Sequence, residues 1–183
     1  MIRIFDIFFA IVGILILFPL FLLLLIIGFF DTGSPFFKQM RIGLNKKTFY
    51  LIKFRTMYID TLSVATHLAD KESITKFGRF LRITKLDELP QLWNVLIGDM
   101  SLVGPRPNLY NQDDLIYERE KLGIYHVRPG ITGLAQINKI DMSTPQLLAE
   151  TDKEMISQLS ISTYFKYIFL TIIGNGMGDR IKT

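Results

Sequence analysis

Apolar residues run from Ile7 to Phe30 with no charged or strongly polar side chain among them, bounded by Asp6 and Asp31. Wound as a helix, such a run extends about 36 Å, slightly more than the hydrocarbon core of a bilayer. Its Leu, Ile, Phe and Val residues each favour insertion by about 0.3–0.6 kcal/mol, on the order of 8 kcal/mol together. A cleaved leader has an apolar stretch about half as long and a small-residue cleavage site. Here Asp6 stands where that leader's basic region would be, and no such site follows. A membrane segment over residues 1–33 is therefore expected. Pro19 falls near its middle, where it removes a helix hydrogen bond and collides with the carbonyl four residues back. Both flanks are basic, Arg3 on one side and Lys38, Arg41, Lys46 and Lys47 on the other, which draws both ends towards the cytoplasm. A re-entrant helix broken at Pro19 satisfies both features; a plain spanning helix with a tolerated proline is the alternative.

Beyond Ser34-Pro35 the pattern changes period. Phe36 to Ile42 and Thr48 to Met57 read as strands around the turn-rich Gly43-Leu44-Asn45-Lys46, a β-hairpin. Between Lys76 and Lys85, the cations Lys76, Arg79 and Arg82 recur every three residues beside Phe77, Phe80, Leu81 and Ile83. That helical stripe suits a membrane surface, a phosphate-rich site or a solvated face. Leu89, Leu92, Trp93 and Leu96 share one face of a short helix that starts near Pro90 and stops at Gly98. Pro145 to Gln158 reads as a polar helix capped by Ser143 or Thr144, and Ile161 to Ile173 as an apolar segment too short to span, lying in the interface or in the core. Gly174 to Thr183 reads as a loose polar tail. These elements predict an α+β fold: a mostly helical, compact domain over residues 34–183 with a short β-hairpin, behind the N-terminal re-entrant membrane helix.

Composition narrows the chemistry. Of the 183 residues, 49% are hydrophobic, and the excess is concentrated at the N-terminus, leaving about one ordinary domain's worth of chain. The chain has no cysteine, which excludes disulfides, a thiolate nucleophile and Cys-ligated zinc, and suits a cytosolic location. Patterns for a nucleotide-binding P-loop, a dinucleotide fold, a zinc protease helix and a nucleophile elbow are all missing. The histidines are His67 and His126, and the second, beside Val127 and Arg128, reads as structural.

Candidate chemistry begins with the adjacent carboxylates Asp87 and Glu88, just before the helix that opens at Pro90. The helix dipole there would favour ionised carboxylate and lower its pKa, and an ionised aspartate is what a nucleophile or a magnesium ligand must be. Plain helix capping is the competing role. Lys53 and Arg55, two apart on the second strand, share a face that suits an anion or a solvated edge. Arg106 lies between Pro105 and Pro107, and Arg128 precedes Pro129-Gly130, whose glycine would let backbone N–H groups approach a phosphate. Nucleic acid is not an expected partner: cations and aromatics are not interleaved, and the acidic pair would repel a phosphate backbone unless a metal intervened.

With these residues assembled, the chain resembles the small monotopic phosphoglycosyl transferases of bacteria, the bacterial sugar transferase family that starts surface glycan assembly on polyprenol phosphate. The resemblance covers nearly the whole chain: Arg3 ahead of a proline-broken membrane helix, KFRTM at Lys53 to Met57, LDELPQLWNVL at Leu86 to Leu96, GDMSLVGPRP at Gly98 to Pro107 and VRPGITGLAQIN at Val127 to Asn138. It implies a re-entrant helix that enters and leaves on the cytosolic face of the bacterial cytoplasmic membrane. It also implies a catalytic domain in which Asp87 attacks the β-phosphate of a UDP-sugar, expels UMP and forms a phosphosugar-aspartyl intermediate, which polyprenol (undecaprenyl) phosphate then resolves. Mg²⁺ is the implied metal, with Asp87 its contact. Glu88 would position the metal or activate the lipid phosphate, and Lys53, Arg55, Arg106 and Arg128 would hold phosphate or uridine. Asp99 reads as a structural cap for its loop. Lys139-Ile140 stands where many relatives have Gly-Arg, and Asp141 to Ser160 follows the family pattern poorly, which leaves the sugar unassigned. The chain looks like the family's minimal form, often associated with N-acetylated amino sugars. A glycosyltransferase, releasing UDP, or a lipid phosphatase, releasing inorganic phosphate, would be told apart by product.

Overall fold

In this computed structural model, which describes residues 2–61 and 71–174, the apolar run is a single helix, α1 (Ile2–Thr32), that continues through Pro19 without the break expected there; proline removes one backbone hydrogen bond but the helix carries on past it. Its burial is uneven. Asp6 and Ala10 are buried near one end, Leu24 and Gly28 near the other, and nothing from 11 to 23 is buried. Near the N-terminal end, Arg3 donates to the carbonyls of Leu96 at 3.0 Å and Met100 at 3.3 Å. Asp6 Oδ1 accepts from the Ser101 hydroxyl, the Leu102 N–H and the Tyr164 hydroxyl, each at 2.9 Å. Three donors are what allow a carboxylate to be buried in an otherwise apolar helix. At the C-terminal end the Thr75 hydroxyl donates to Asp31 Oδ2 at 2.6 Å, and Leu24 packs with Phe54 and Leu81. Both ends of α1 therefore rest on one domain, while Leu15, Ile16 and Phe18 between them are exposed.

The hairpin forms as expected. β1 (Phe36–Ile42) and β2 (Thr48–Phe54) pair antiparallel, Phe36 opposite Phe54 and Ile42 opposite Thr48. β2 ends three residues before the expected Met57, which instead bridges Ile74. In the turn Asn45 and Lys46 both have positive φ, a conformation Asn tolerates better than most residues. α2 (Lys76–Thr84) is capped by Thr75, whose hydroxyl accepts from Gly78 N–H at 2.8 Å. A tight turn over Leu86–Glu88 then leads into α3 (Gln91–Ile97), which ends at Gly98 with φ of 96°.

The second half holds what local periodicity does not reveal. β3 (Ser101–Val103) pairs parallel with β4 (Gly130–Thr132), Ser101 opposite Gly130. Gly104 and Gly130 cross so closely that a Cβ on Gly130 would sit 2.0 Å from Gly104 N. α4 (Asp113–Lys121) is a polar helix with Leu115 and Arg119 buried. α5 (Leu134–Ile137), α6 (Pro145–Ser157) and α7 (Ile161–Ile172) complete an α+β fold. Thr144 occupies the N-cap of α6 without a side-chain capping bond, whereas Ser160 and Thr163 form a reciprocal capping box on α7. The α7 segment reaches the core, where Tyr164 and Tyr167 pack with Val103 and Met155, while Phe169 and Ile172 are exposed. His67 and residues 175–183 of the expected tail lie outside the described residues.

Candidate active site

Lys85, with φ of 61°, ends α2 in the left-handed conformation and turns the chain directly into the Leu86–Glu88 turn. Asp87 and Glu88 are thus held on a buried turn wedged between two helices. They do not cap α3, whose N-cap is Pro90 with no side-chain bond, so the competing structural role fails. Successive residues on such a turn diverge by about 120°, and the two carboxylates find different surroundings.

Glu88 Oε1 accepts from Arg106 Nη2 at 2.7 Å and Lys53 Nζ at 3.1 Å. Lys53 Nζ also lies 3.7 Å from Asp87 Oδ2, while Asp87 Oδ1 is buried with no hydrogen-bond partner. Burial by itself would raise the Glu88 pKa, but Arg106, Lys53 and Lys85 outweigh it and hold the carboxyl well below its usual range. For Asp87 burial wins: its pKa is raised, with Lys53 opposing and the Glu88 charge reinforcing the rise. The direction is opposite to the lowering expected from a helix dipole: burial dominates, and α3 begins only at Gln91, beyond the acidic turn. Two neighbouring carboxyls pushed in opposite directions are a frequent mark of divided chemical roles. Glu88 is ionised and bound on both sides, and Asp87 keeps one oxygen uncommitted.

Of the predicted cations, the fold brings Lys53 and Arg106 to this dyad. Arg55, expected on the same strand face as Lys53, falls one residue past the end of β2 and turns back to the helix exit, donating to Ser34 O at 2.9 Å and Phe36 O at 3.3 Å, above the Phe37 ring. Arg128 donates to Gly98 O at 2.9 Å, closing the end of α3. The glycine turn beside it serves backbone pairing in place of phosphate approach: Gly130 N–H is bonded to Pro105 O and Gly104 N–H to Thr132 O. Asp99 accepts from Asn94 Nδ2 at 3.4 Å.

Several contributors have no counterpart among the expected site residues. Asn94, buried on α3, takes the Ile52 N–H on Oδ1 at 3.1 Å and donates to Tyr50 O at 2.8 Å, docking the stretch of β2 that carries Lys53. Its polarity between Trp93 and Val95 was the available signal. Arg41 is buried beside Arg106, its pKa brought down to about 9 by burial and then by that neighbouring charge. It donates to Pro107 O at 3.0 Å and to the Gln39 side-chain carbonyl. Arg119 is buried with Asp152, Nη2 to Oδ2 at 2.6 Å.

Among the described residues no three His, Cys, Asp or Glu side chains gather to form a metal cage. Magnesium does not require one, since it commonly binds through one or two carboxylates together with substrate phosphates and water. The uncommitted Asp87 Oδ1 is a donor of the right kind, so the residues present fit such an ion.

The family model described as bacterial sugar transferase matches residues 1–175. The chain is 45% identical to the uncharacterized sugar transferase EpsL of Bacillus subtilis over 141 residues, 76% of this chain and 69% of that one. It is 35% identical to the exopolysaccharide production protein ExoY of Sinorhizobium fredii over 93% of this chain and 83% of that one. It is also 38% identical to the UDP-glucose:undecaprenyl-phosphate glucose-1-phosphate transferase of Xanthomonas campestris over 90% of its own length, but spans only 36% of that larger protein. The chain belongs to the bacterial sugar transferase family.

Proposed function

We propose that this protein transfers a sugar 1-phosphate from a UDP-sugar to polyprenol (undecaprenyl) phosphate in polysaccharide synthesis. The names of its relatives support the donor and acceptor classes. The observation that carries the mechanism is the divided dyad, a buried Asp87 oxygen without a partner beside a Glu88 held by two cations. An oxygen of the Asp87 carboxylate attacks the β-phosphorus of the donor, forming an O–P bond. The bond from that phosphorus to the bridging oxygen breaks, and UMP leaves with the electron pair. A phosphate oxygen of the lipid then attacks the same phosphorus, which frees Asp87 and yields the polyprenol-diphosphate sugar.

Lys53 and Arg106, already at Glu88, offset the charge that accumulates on the diphosphate as UMP departs. Glu88 holds both cations in place. Mg²⁺, contacted by Asp87, would supply further neutralisation of the diphosphate. The placement of both ends of α1 on one domain, with residues 11–23 unburied between them, supports a helix whose middle enters the cytosolic leaflet of the bacterial cytoplasmic membrane without crossing it, bent rather than broken at Pro19. That arrangement holds the dyad where a soluble donor meets a lipid acceptor.

The test is incubation of the detergent-solubilised protein with Mg²⁺, polyprenol phosphate and a panel of UDP-sugars, beginning with UDP-glucose and the N-acetylated amino sugars, while UMP release is followed. Near-normal release from Asp87→Asn would overturn the covalent mechanism. Release of UDP or inorganic phosphate in place of UMP, or no release from any donor, would overturn the transferase assignment.

A further inference from the structure

Four consecutive backbone carbonyls around Arg106 are each taken by a separate donor. Pro105 O receives the Gly130 N–H at 2.8 Å and Asn108 O receives the Ile42 N–H at 3.0 Å. Between them, Arg106 O receives Arg119 Nη1 at 2.8 Å and Pro107 O receives Arg41 Nη1 at 3.0 Å. The donors come from β4, β1 and α4, elements far apart in the chain. Pro105 and Pro107 have fixed φ, so the segment has little freedom left.

Two of the four donors are buried guanidinium groups, which are costly to take out of water and are unusual partners for a main-chain oxygen. Arg119 has its own buried counter-ion, Asp152 Oδ2, which takes Nε at 3.1 Å and Nη2 at 2.6 Å. Its second bond to this segment runs from Nη1 to Asn108 Oδ1 at 3.0 Å, an oxygen that also accepts from the Tyr125 hydroxyl at 3.1 Å. Arg119 thus spans Pro107, gripping the residues on either side of it.

We propose that Arg41 and Arg119, the latter held by Asp152, are positioning residues that fix the backbone of Arg106 so that its guanidinium meets Glu88 and the transferred phosphate. They act through Arg106 and touch no reacting atom. The catalytic consequence rests on the function proposed above; the clamp itself is a statement about the segment from Gly104 to Leu109.

The experiment combines hydrogen exchange with turnover on the full-length protein in detergent, comparing wild type, Arg119→Lys and Arg41→Lys, with Lys46→Ala as a control on an exposed ion pair of the same helix α4. Each Arg→Lys variant keeps its charge but cannot reproduce the planar fork. The expected result is faster exchange confined to the peptide over residues 103–110, with a roughly 10- to 100-fold fall in kcat/KM. Lys46→Ala should change neither.

Unchanged exchange in that peptide, acceleration spread evenly over the chain, or a loosened peptide with wild-type turnover would each overturn the proposal. If Arg119→Lys does not fold, Arg41→Lys carries the test. Failure of both to fold would assign the two arginines to stability and overturn it as well. A wild-type protein without turnover would sink the transferase assignment while the exchange data still decided the clamp.

Discussion

Two buried charge clusters lie either side of Arg106, and they are built differently. Arg119 and Asp152 are matched one to one, with two hydrogen bonds onto a single carboxylate oxygen. At the dyad, Asp87 and Glu88 face Lys53 and Arg106 directly and feel Lys85, Arg82 and, for Glu88, Arg41 as well. The first cluster pairs one cation with one carboxylate and acts as scaffold, although burial still pushes the Asp152 pKa up and leaves its Oδ1 without a partner. The second sets two carboxyls pushed in opposite directions against the shared cations Lys53 and Arg106, the arrangement on which the proposed transfer rests.

That contrast is most exposed by Asp87→Asn, which should abolish UMP release while leaving thermal stability unchanged or higher. The sign follows from the raised pKa: such a carboxyl stabilises the fold below its unfolded-state pKa and loses that contribution as pH rises through the folded-state value. At neutral pH, then, a neutral isostere is tolerated better than the charge. Burial raises the Asp152 pKa too, but the buried Arg119 guanidinium places two bonds on that carboxylate, so Asp152→Asn should do the reverse. It leaves Arg119 buried without its counter-ion, so a loss of about 3–5 kcal/mol in denaturant unfolding is expected. Equal stability losses in the two variants would erase the distinction between site and scaffold.

Lys53→Met removes the cation that opposes the raised Asp87 pKa. The acid limb of the kcat/KM profile should therefore move to higher pH, and a limb that stays in place would detach Lys53 from Asp87. The smallest effect belongs to the exposed pair Lys46–Glu120. Lys46→Ala should cost at most about 1 kcal/mol, less at high salt, as is usual for solvated ion pairs.

Much of the site was visible in the chain before folding, because its residues announce themselves locally. The acidic pair precedes a helix-opening proline, Arg106 is isolated between prolines, and Lys53 sits on an alternating strand. What escaped depends on contacts distant in the chain. Arg55 is expected on the same face as Lys53, but it falls one residue past the end of β2, and the chain's exit from α1 leaves the Ser34 and Phe36 carbonyls within its reach. β3 and β4 are three residues each and pair across nearly thirty positions, so no periodicity marks them. Arg41 and Arg119 sit in charged local sequence that resembles solvent-facing surface, and only the fold shows them buried. Asp6 spoke in the sequence only against a leader peptide; its three donors come from Ser101, Leu102 and Tyr164, far along the chain.

Because α1 is fastened at both ends, it cannot be treated as a detachable tether. Deleting it would strip Asp6 from the Ser101 hydroxyl and the Leu102 N–H, free the Leu96 and Met100 carbonyls from Arg3, and bare Phe54 and Leu81 to water. A truncated version made for solubility should therefore aggregate, and a workable soluble form would come from recoating the unburied apolar residues between 11 and 23 with polar side chains while keeping both fastenings.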